Sequence, residues 1–335
     1  MVLCHTDPDG VLRLIKRMRA LSPTSFTVVR YEDETYLDPE QVRDIGALPF
    51  VSTQPVAWGD WSSAAMVLEA LEAAQRRTGA DYYVVISGQD YPIRDLTTWE
   101  AEVAASGSDA LLAPAVGTAD DHHYRRRIIN PRGTMPRPFG RVARHLVWRI
   151  GTTTRALVQI CPGPRAGDPR WWIGVRRPTS KRAPHEMALV KSSQWMTLSS
   201  KALTNLVRRH HEQPELEEYF RGVRVPDEYY ASSVLHDDSD ILLTAGHTSA
   251  AWFTPVTSSP AWLDEAVLRR AASTGAPFAR KVPTDVTPRP ARRRRRDGLR
   301  LNKTLAACRH VDRLPAFLPL RRQPRPRCRS RTSRG

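Results

Sequence analysis

The 335-residue sequence predicts an α/β protein: a mostly parallel central sheet flanked by helices in one domain over residues 1–285, then a disordered basic tail at 286–335. Strand-like and helix-like stretches alternate along the first hundred residues, the pattern of a parallel-rich sheet covered by helices. Hydrophobic residues make up 41% of the chain, enough to pack a core. Charge is unevenly placed. Residues 289–335 hold 16 Arg and 1 Lys against Asp297 and Asp312, a net +15 of the chain's +16. The preceding residues are therefore close to neutral, and the basic character describes the tail rather than what the folded part binds. Beyond about Pro288, Pro and Arg dominate and no core can form.

Each element has its own signal. Val2-Leu3-Cys4 is a short apolar strand, after which Val11, Leu14, Ile15 and Met18 recur at helical spacing on one face. Phe26 to Tyr31 reads as a buried strand. A helix is predicted from Ser62 as N-cap, with Val67, Leu71 and Ala74 inward and Gly79 at its end. Tyr82 to Ile86 is the next strand and runs into the turn Ser87-Gly88-Gln89-Asp90-Tyr91-Pro92. Residues 117–191, rich in Pro, Arg and Gly, read as long loops and short helices. Trp195 to Leu198 forms a strand, and Leu203, Leu206 and Val207 mark a helix ending near His211. Val225-Pro226-Asp227-Glu228 opens another helix, Trp262 to Ala272 is helical, and Phe278 to Val282 closes the ordered part. Ligands of parallel sheets collect beyond the carboxyl ends of the strands, which places His5, Thr6, Asp33 and the 87–92 turn at one rim. No GxGxxG occurs, so a dinucleotide fold is not supported.

Three groups of residues carry possible chemistry. Pro226 suits a first helical position, so Asp227 and Glu228 fall in a first turn, where the helix dipole favours carboxylates. A carboxylate facing a cleft can take a proton from an attacking hydroxyl, although acids in first turns are also common structural complements to the dipole. Arg280-Lys281 can stabilise a departing diphosphate, Arg by a fork of donors and Lys as a point charge, or can be a solvated basic pair. In the 87–92 turn, Ser87, Gly88, Gln89 and Asp90 offer groups for a base or sugar; alternatively Asp90 bonds its own backbone.

Metal signals are weak. Asp7-Pro8-Asp9 and Asp238-Ser239-Asp240 have the form DxD, which 35 acids produce by chance, and the pairs His122-His123 and His210-His211 are adjacent, so helical geometry would point them apart. No metal is expected. Four cysteines without a CxxC pair and no run of about 18 apolar residues lead to the expectation of a reduced, cytoplasmic protein without a membrane span.

Four blocks together resemble one family. Trp58-Gly59-Asp60-Trp61-Ser62 followed by a helix and the 82–92 segment, then Ser192-Ser193-Gln194-Trp195-Met196-Thr197-Leu198-Ser199, then Pro226-Asp227-Glu228-Tyr229-Tyr230, then Phe278-Ala279-Arg280-Lys281, occur in this order. They are similar to the signatures of the branching β-1,6-N-acetylglucosaminyltransferases and peptide O-xylosyltransferases, glycosyltransferase family 14. The resemblance implies a GT-A-like fold and inverting, metal-independent transfer from a UDP-sugar, GlcNAc first and xylose next. No cofactor is implied beyond this co-substrate. Carried over by position, Glu228 becomes the base and Lys281 the diphosphate contact, with Arg280 assisting. Trp195 and Asp227 fall on the acceptor side, and His5, Thr6, Asp33 and Ser87 to Asp90 on the nucleotide and sugar side. The acceptor can be a glycan, glycolipid, peptide or small molecule. Ser192 stands where the family usually has Gly, and Val282 where Phe is commoner. The alternative is a non-catalytic protein that binds nucleic acid or an anionic membrane surface through its Arg-rich tail.

Overall fold

A computed structural model gives the architecture and describes residues 1–57, 59–114, 129–150, 158–162, 170–176, 184–223, 225–253 and 260–283. Trp58, the pair His122-His123 and the tail at 286–335, with everything expected of it, lie outside the described residues.

The chain opens with β1 (Val2–Leu3), α1 (Pro8–Leu21), β2 (Val28–Tyr31), α2 (Pro39–Asp44) and β3 (Leu48–Val51). In α1, Asp7 caps the first turn by accepting from the Gly10 amide at 3.1 Å, and Pro8 stands where no amide is needed. Val11, Leu14, Ile15 and Met18 are all buried, as their spacing predicts. Strand β2 starts later than the apolar run implies, because Phe26 is left 62% exposed. Next come α3 (Trp61–Thr78), β4 (Tyr82–Val84), β5 (Ile86–Ser87), β6 (Asp90–Pro92), α4 (Leu96–Ser106) and β7 (Ala110–Leu112). The cap of α3 is Asp60, not Ser62: its carboxylate accepts from the Ser62 amide at 2.8 Å, while the Ser62 hydroxyl turns back to the Ala57 amide at 2.8 Å. Gly79 ends the helix at φ 56°, a conformation that costs a side-chain-bearing residue.

The 117–191 region contradicts the expectation of loops and short helices. It contains β8 (Ile129–Pro136), the 14-residue helix α5 (Arg137–Ile150), β9 (Val158–Pro162) and β10 (Arg170–Arg176). The three strands form an antiparallel sheet in the order β8-β10-β9. Pro, Gly and Arg within these strands obscure their alternation in the sequence. The last part holds β11 (Thr197–Ser199), α6 (Ser200–Glu212), α7 (Pro214–Phe220), α8 (Tyr230–Asp237), β12 (Leu243–Ala245), β13 (Ser249–Ala251), α9 (Glu265–Ala271) and β14 (Phe278–Arg280).

Two four-stranded sheets meet along one strand line. β4 and β5 are successive parts of the 82–87 segment, parted only at Val85, whose amide donates to the Met196 carbonyl at 2.9 Å. β5 pairs with β1 and β4 pairs with β11, so the strand order runs β3-β2-β1-β5/β4-β11-β7-β12. All of these strands are parallel except β11, which is antiparallel to both neighbours. The α/β class and the mostly parallel central sheet with flanking helices are thus as the sequence predicts. A small third sheet, β13-β14-β6, joins the 87–92 turn to the end of the described chain.

The core lies on both sides of this sheet. α1 buries its face against β1 and β2, whereas α3, α6 and α8 enclose Leu71, Leu198, Leu203, Leu206 and Phe220, each essentially inaccessible. Tyr230 stacks edge-on against Trp61 at 5.0 Å and Phe220 at 5.2 Å, and its hydroxyl lies 3.1 Å from His210 Nδ1. Burial pushes the His210 pKa down, and His211 pairs with Glu72 at 3.1 Å, so both histidines serve packing at the end of α6.

Gly88 is required by close approach. A Cβ there would sit 2.7 Å from Val11 Cγ2 and 2.9 Å from Cys4 Cβ, and its amide donates to the Leu3 carbonyl at 2.9 Å. Gly88→Ala is therefore expected to lose about 1–3 kcal/mol through overpacking. The urea midpoint reads this directly, and an unchanged midpoint would mean that α1 can yield.

Candidate functional site

Because the parallel strands share one direction, the residues that follow them gather on one edge. His5 and Thr6 follow β1, Asp33 follows β2, and the 88–90 turn follows β5. Since β11 alone runs the opposite way, the residues that lead into it, Lys191 to Met196, lie at that same edge. One antiparallel strand thus carries the second sequence block to the first.

Glu228 occupies a turn that differs from the expected one. Pro226–Glu228 forms a separate turn of 3-10 helix ahead of α8, so neither acid belongs to the first turn of an α-helix and the dipole argument does not hold. Val225, just before it, adopts φ 62° and ψ 53°. A buried β-branched residue in this region costs about 1–3 kcal/mol and persists only when its surroundings impose it. The Val225 amide donates to the Gly59 carbonyl at 3.0 Å, and the Ser63 hydroxyl donates to Asp227 at 2.9 Å. Asp227 is therefore a tether to the start of α3. The Glu228 carbonyl accepts from the Ser192 amide at 2.8 Å, and its carboxylate meets Lys191 Nζ at 3.2 Å. Both side chains of that pair are partly exposed, which limits its worth to about 1 kcal/mol or less; its main effect is to position the carboxylate. Ser192 uses its hydroxyl to hold the Ala113 carbonyl at 2.9 Å beyond β7.

The cations are built differently. Arg280 pairs with Asp90 across β14 and β6, and Nε lies 3.9 Å from the Asp90 carboxylate. Its guanidinium covers the Trp195 ring at 4.0 Å from the centroid, a cation–π contact between the second and fourth blocks. Arg280 is 7% exposed, yet Nε and Nη1 make no hydrogen bond. Burying donors without acceptors is costly, and the facing Asp90 Oδ1 also lacks a hydrogen bond, so the two groups are held by charge across 3.9 Å rather than by a hydrogen bond. Burial lowers the Arg280 pKa, with Asp90 opposing. Burial also lowers that of Lys281, and Arg280 adds to the effect. Lys281 Nζ lies 5.8 Å over the exposed Trp262 ring, and its backbone is held by Leu263 and Ala261 at 2.8 and 3.4 Å.

The remaining rim residues divide. Asp90 is fully enclosed and accepts from the Ser87 amide; burial raises its pKa, opposed first by Arg280. Ser87 is buried and accepts from the Gln89 amide at 3.1 Å, so Ser87, Gly88 and Asp90 shape the turn from within. Gln89 stays partly open, bonded through Nε2 to Thr6 Oγ1 at 3.3 Å. Asp33 is exposed and closes its own turn through the Thr35 amide at 2.7 Å, which lowers its pKa. His5 is open to solvent at its edge, but the surrounding protein lowers its pKa; Glu32 opposes this, while Lys281 and Arg280 reinforce it. The named contacts therefore join all four blocks: 226–228 to α3 and to 191–192, Trp195 to Arg280, and Arg280 to the 87–92 turn.

Sequence reasoning missed Lys191 and placed Trp195 only on the acceptor side, although its ring is the platform for Arg280. A Lys next to the Ser-Ser-Gln-Trp block was a usable signal; the stacking was not. Asp7 caps α1 and Asp238 accepts from Asn205 and the Asp240 amide, so both DxD triplets have structural work. Among the described residues no cluster of three or more His, Cys, Asp or Glu could hold a metal, and no helix is long and apolar enough to cross a membrane.

No protein-family profile and no curated protein matches this chain. Among solved structures, a CMP-2-keto-3-deoxy-manno-octonic acid synthetase in complex with CTP is 10% identical, covering 67% of this chain and 86% of its own, with a TM-score of 0.30. A putative glucose-1-phosphate thymidylyltransferase from Bacillus anthracis is 12% identical over 61% of this chain and 73% of its own, with a TM-score of 0.26. A mannose-1-phosphate geranyltransferase from Thermus thermophilus is 14% identical over 67% of each chain, with a TM-score of 0.27. Similarities of this size assign neither a family nor an activity.

Proposed function

We propose that the protein is an inverting glycosyltransferase of the GT-A type that moves a sugar from a UDP-sugar to an acceptor hydroxyl, GlcNAc first and xylose next, without a metal. The observation that carries this reading is the buried Arg280 guanidinium, paired with Asp90 through Nε and without a hydrogen bond at Nη1, beside Lys281 on β14 and just beyond it. The strand order supports it too, since a single antiparallel strand delivers Trp195 and the Glu228 clamp to the carboxyl ends of the parallel strands.

In the reaction, the Glu228 carboxylate accepts the proton of the acceptor hydroxyl. The acceptor oxygen forms a new bond to the anomeric carbon as the bond from that carbon to the diphosphate oxygen breaks. UDP departs with the electron pair, and a single displacement inverts the anomeric centre. Arg280 and Lys281 meet the developing charge from fixed positions, so little reorganisation is needed. His5, Thr6, Asp33 and Gln89 line the edge for the nucleotide and sugar, whereas Ser87, Gly88 and Asp90 support them from below. Saturation-transfer NMR with a panel of UDP-sugars in the presence of chelator tests the donor class directly.

A further inference from the structure

We propose that α5 is a docking face for an anionic lipid surface. Phe139, Val142 and Leu146 fall on one side of this helix at about 100° per residue, and they are 67%, 61% and 51% exposed. Arg141, Arg144 and His145 are exposed on its other flank. The helix packs against the β8-β10-β9 sheet through the side bearing Gly140, which is buried. Its apolar stripe therefore faces away from the only layer that supports it among the described residues.

The surrounding sequence indicates the partner. Residues 122–167 contain 10 Arg and no Lys, Asp or Glu, a second basic stretch whose charge is offset by an excess of acids in the rest of the chain before residue 289. An exposed apolar stripe flanked by arginines without acids is the composition of a helix that lies in a bilayer interface, with apolar side chains among the acyl boundaries and cations at anionic headgroups. Nucleic acid would satisfy the arginines but gives no return for exposing Phe139, Val142 and Leu146 together. A second copy of this chain would cover the stripe but would set the exposed Arg141 and Arg144 against the same arginines of its partner.

The test uses the full chain, because the Arg-rich tail also attracts anionic lipid and must be separated from α5 within one molecule. Binding to phosphatidylcholine vesicles with and without about 30% phosphatidylglycerol is measured by sedimentation at low salt and at 0.5 M NaCl, where screening suppresses attraction that is purely electrostatic. The variant Phe139→Ser/Val142→Ser/Leu146→Ser leaves the charge unchanged and alters only exposed side chains. Binding to the anionic vesicles that persists in part at high salt, and falls about tenfold or more in the triple variant, is the expected result. Arg141→Glu should weaken binding mainly at low salt. Equal binding by wild type and triple variant, abolished by salt, would overturn the proposal and leave the tail as the binder. Binding to pure phosphatidylcholine as strong as to the anionic vesicles would also overturn it. So would a wild-type dimer that the triple variant converts to monomer without vesicle binding, or salt-dependent capture of duplex DNA that Arg141→Glu weakens in the absence of any vesicle binding. Far-UV circular dichroism of both variants checks that they fold.

Discussion

Glu228→Gln should lower turnover by about 10²–10⁴ with little change in donor affinity or in the unfolding midpoint. The substitution keeps the side chain's size and its hydrogen bonding while removing the group that accepts the acceptor's proton. Donor affinity is spared because the diphosphate contacts belong to Arg280 and Lys281 on β14 and just beyond it. The fold is spared because Glu228 is held by its backbone, through Ser192 and Val225, and its side-chain pair with Lys191 is partly exposed. Turnover is read as sugar transfer to an acceptor or as slow transfer to water. Near-normal turnover in a folded Glu228→Gln protein would remove Glu228 from the role of base.

Arg280→Met should affect both stability and donor binding. Removing one member of a buried ion pair leaves the other charge uncompensated, a loss of about 3–5 kcal/mol. Here the stranded group is Asp90, which is fully enclosed beside the Ser87 amide. The cation–π contact with Trp195 is lost at the same time. The double variant Asp90→Asn/Arg280→Met removes the stranded charge and should regain much of the stability, since the two residues face each other across β14 and β6 and couple strongly. Donor binding should not return with it. Urea unfolding and UDP titration of both variants separate these effects. A single variant within about 1 kcal/mol of wild type would show that the pair is dispensable, and UDP affinity regained in the double variant would show that Arg280 does not hold the diphosphate.

What the sequence revealed follows from the range of each interaction. α1 was legible because its apolar spacing and its Asp7-Pro8 start are local. The strand at 82–86 was legible for the same reason, though as one strand rather than β4 and β5 and without β6 in the turn after it, and so was the edge where residues following the parallel strands gather. The strand order was not, because the single antiparallel strand β11 depends on pairings with β4 and β7 far along the chain. The Asp90–Arg280 pair and the Trp195 platform were hidden likewise, although each residue had been singled out. The turn at 226–228 looked like the start of a helix because proline suits both, and only the backbone at Val225 tells them apart. α5 was missed for another reason. Its arginines dilute the apolar signal, and the acids elsewhere in the chain cancel the local charge, so whole-chain bookkeeping assigned all basic character to the tail.

The most direct measurement is saturation-transfer NMR on the full-length protein with UDP-GlcNAc, UDP-xylose and other UDP-sugars, first with chelator and then with Mn²⁺. Binding of one UDP-sugar with chelator present, unchanged by Mn²⁺ and weakened by Lys281→Ala, is the expected result and would name the donor. Absence of binding by every UDP-sugar under both conditions would contradict the assignment of a UDP-sugar transferase.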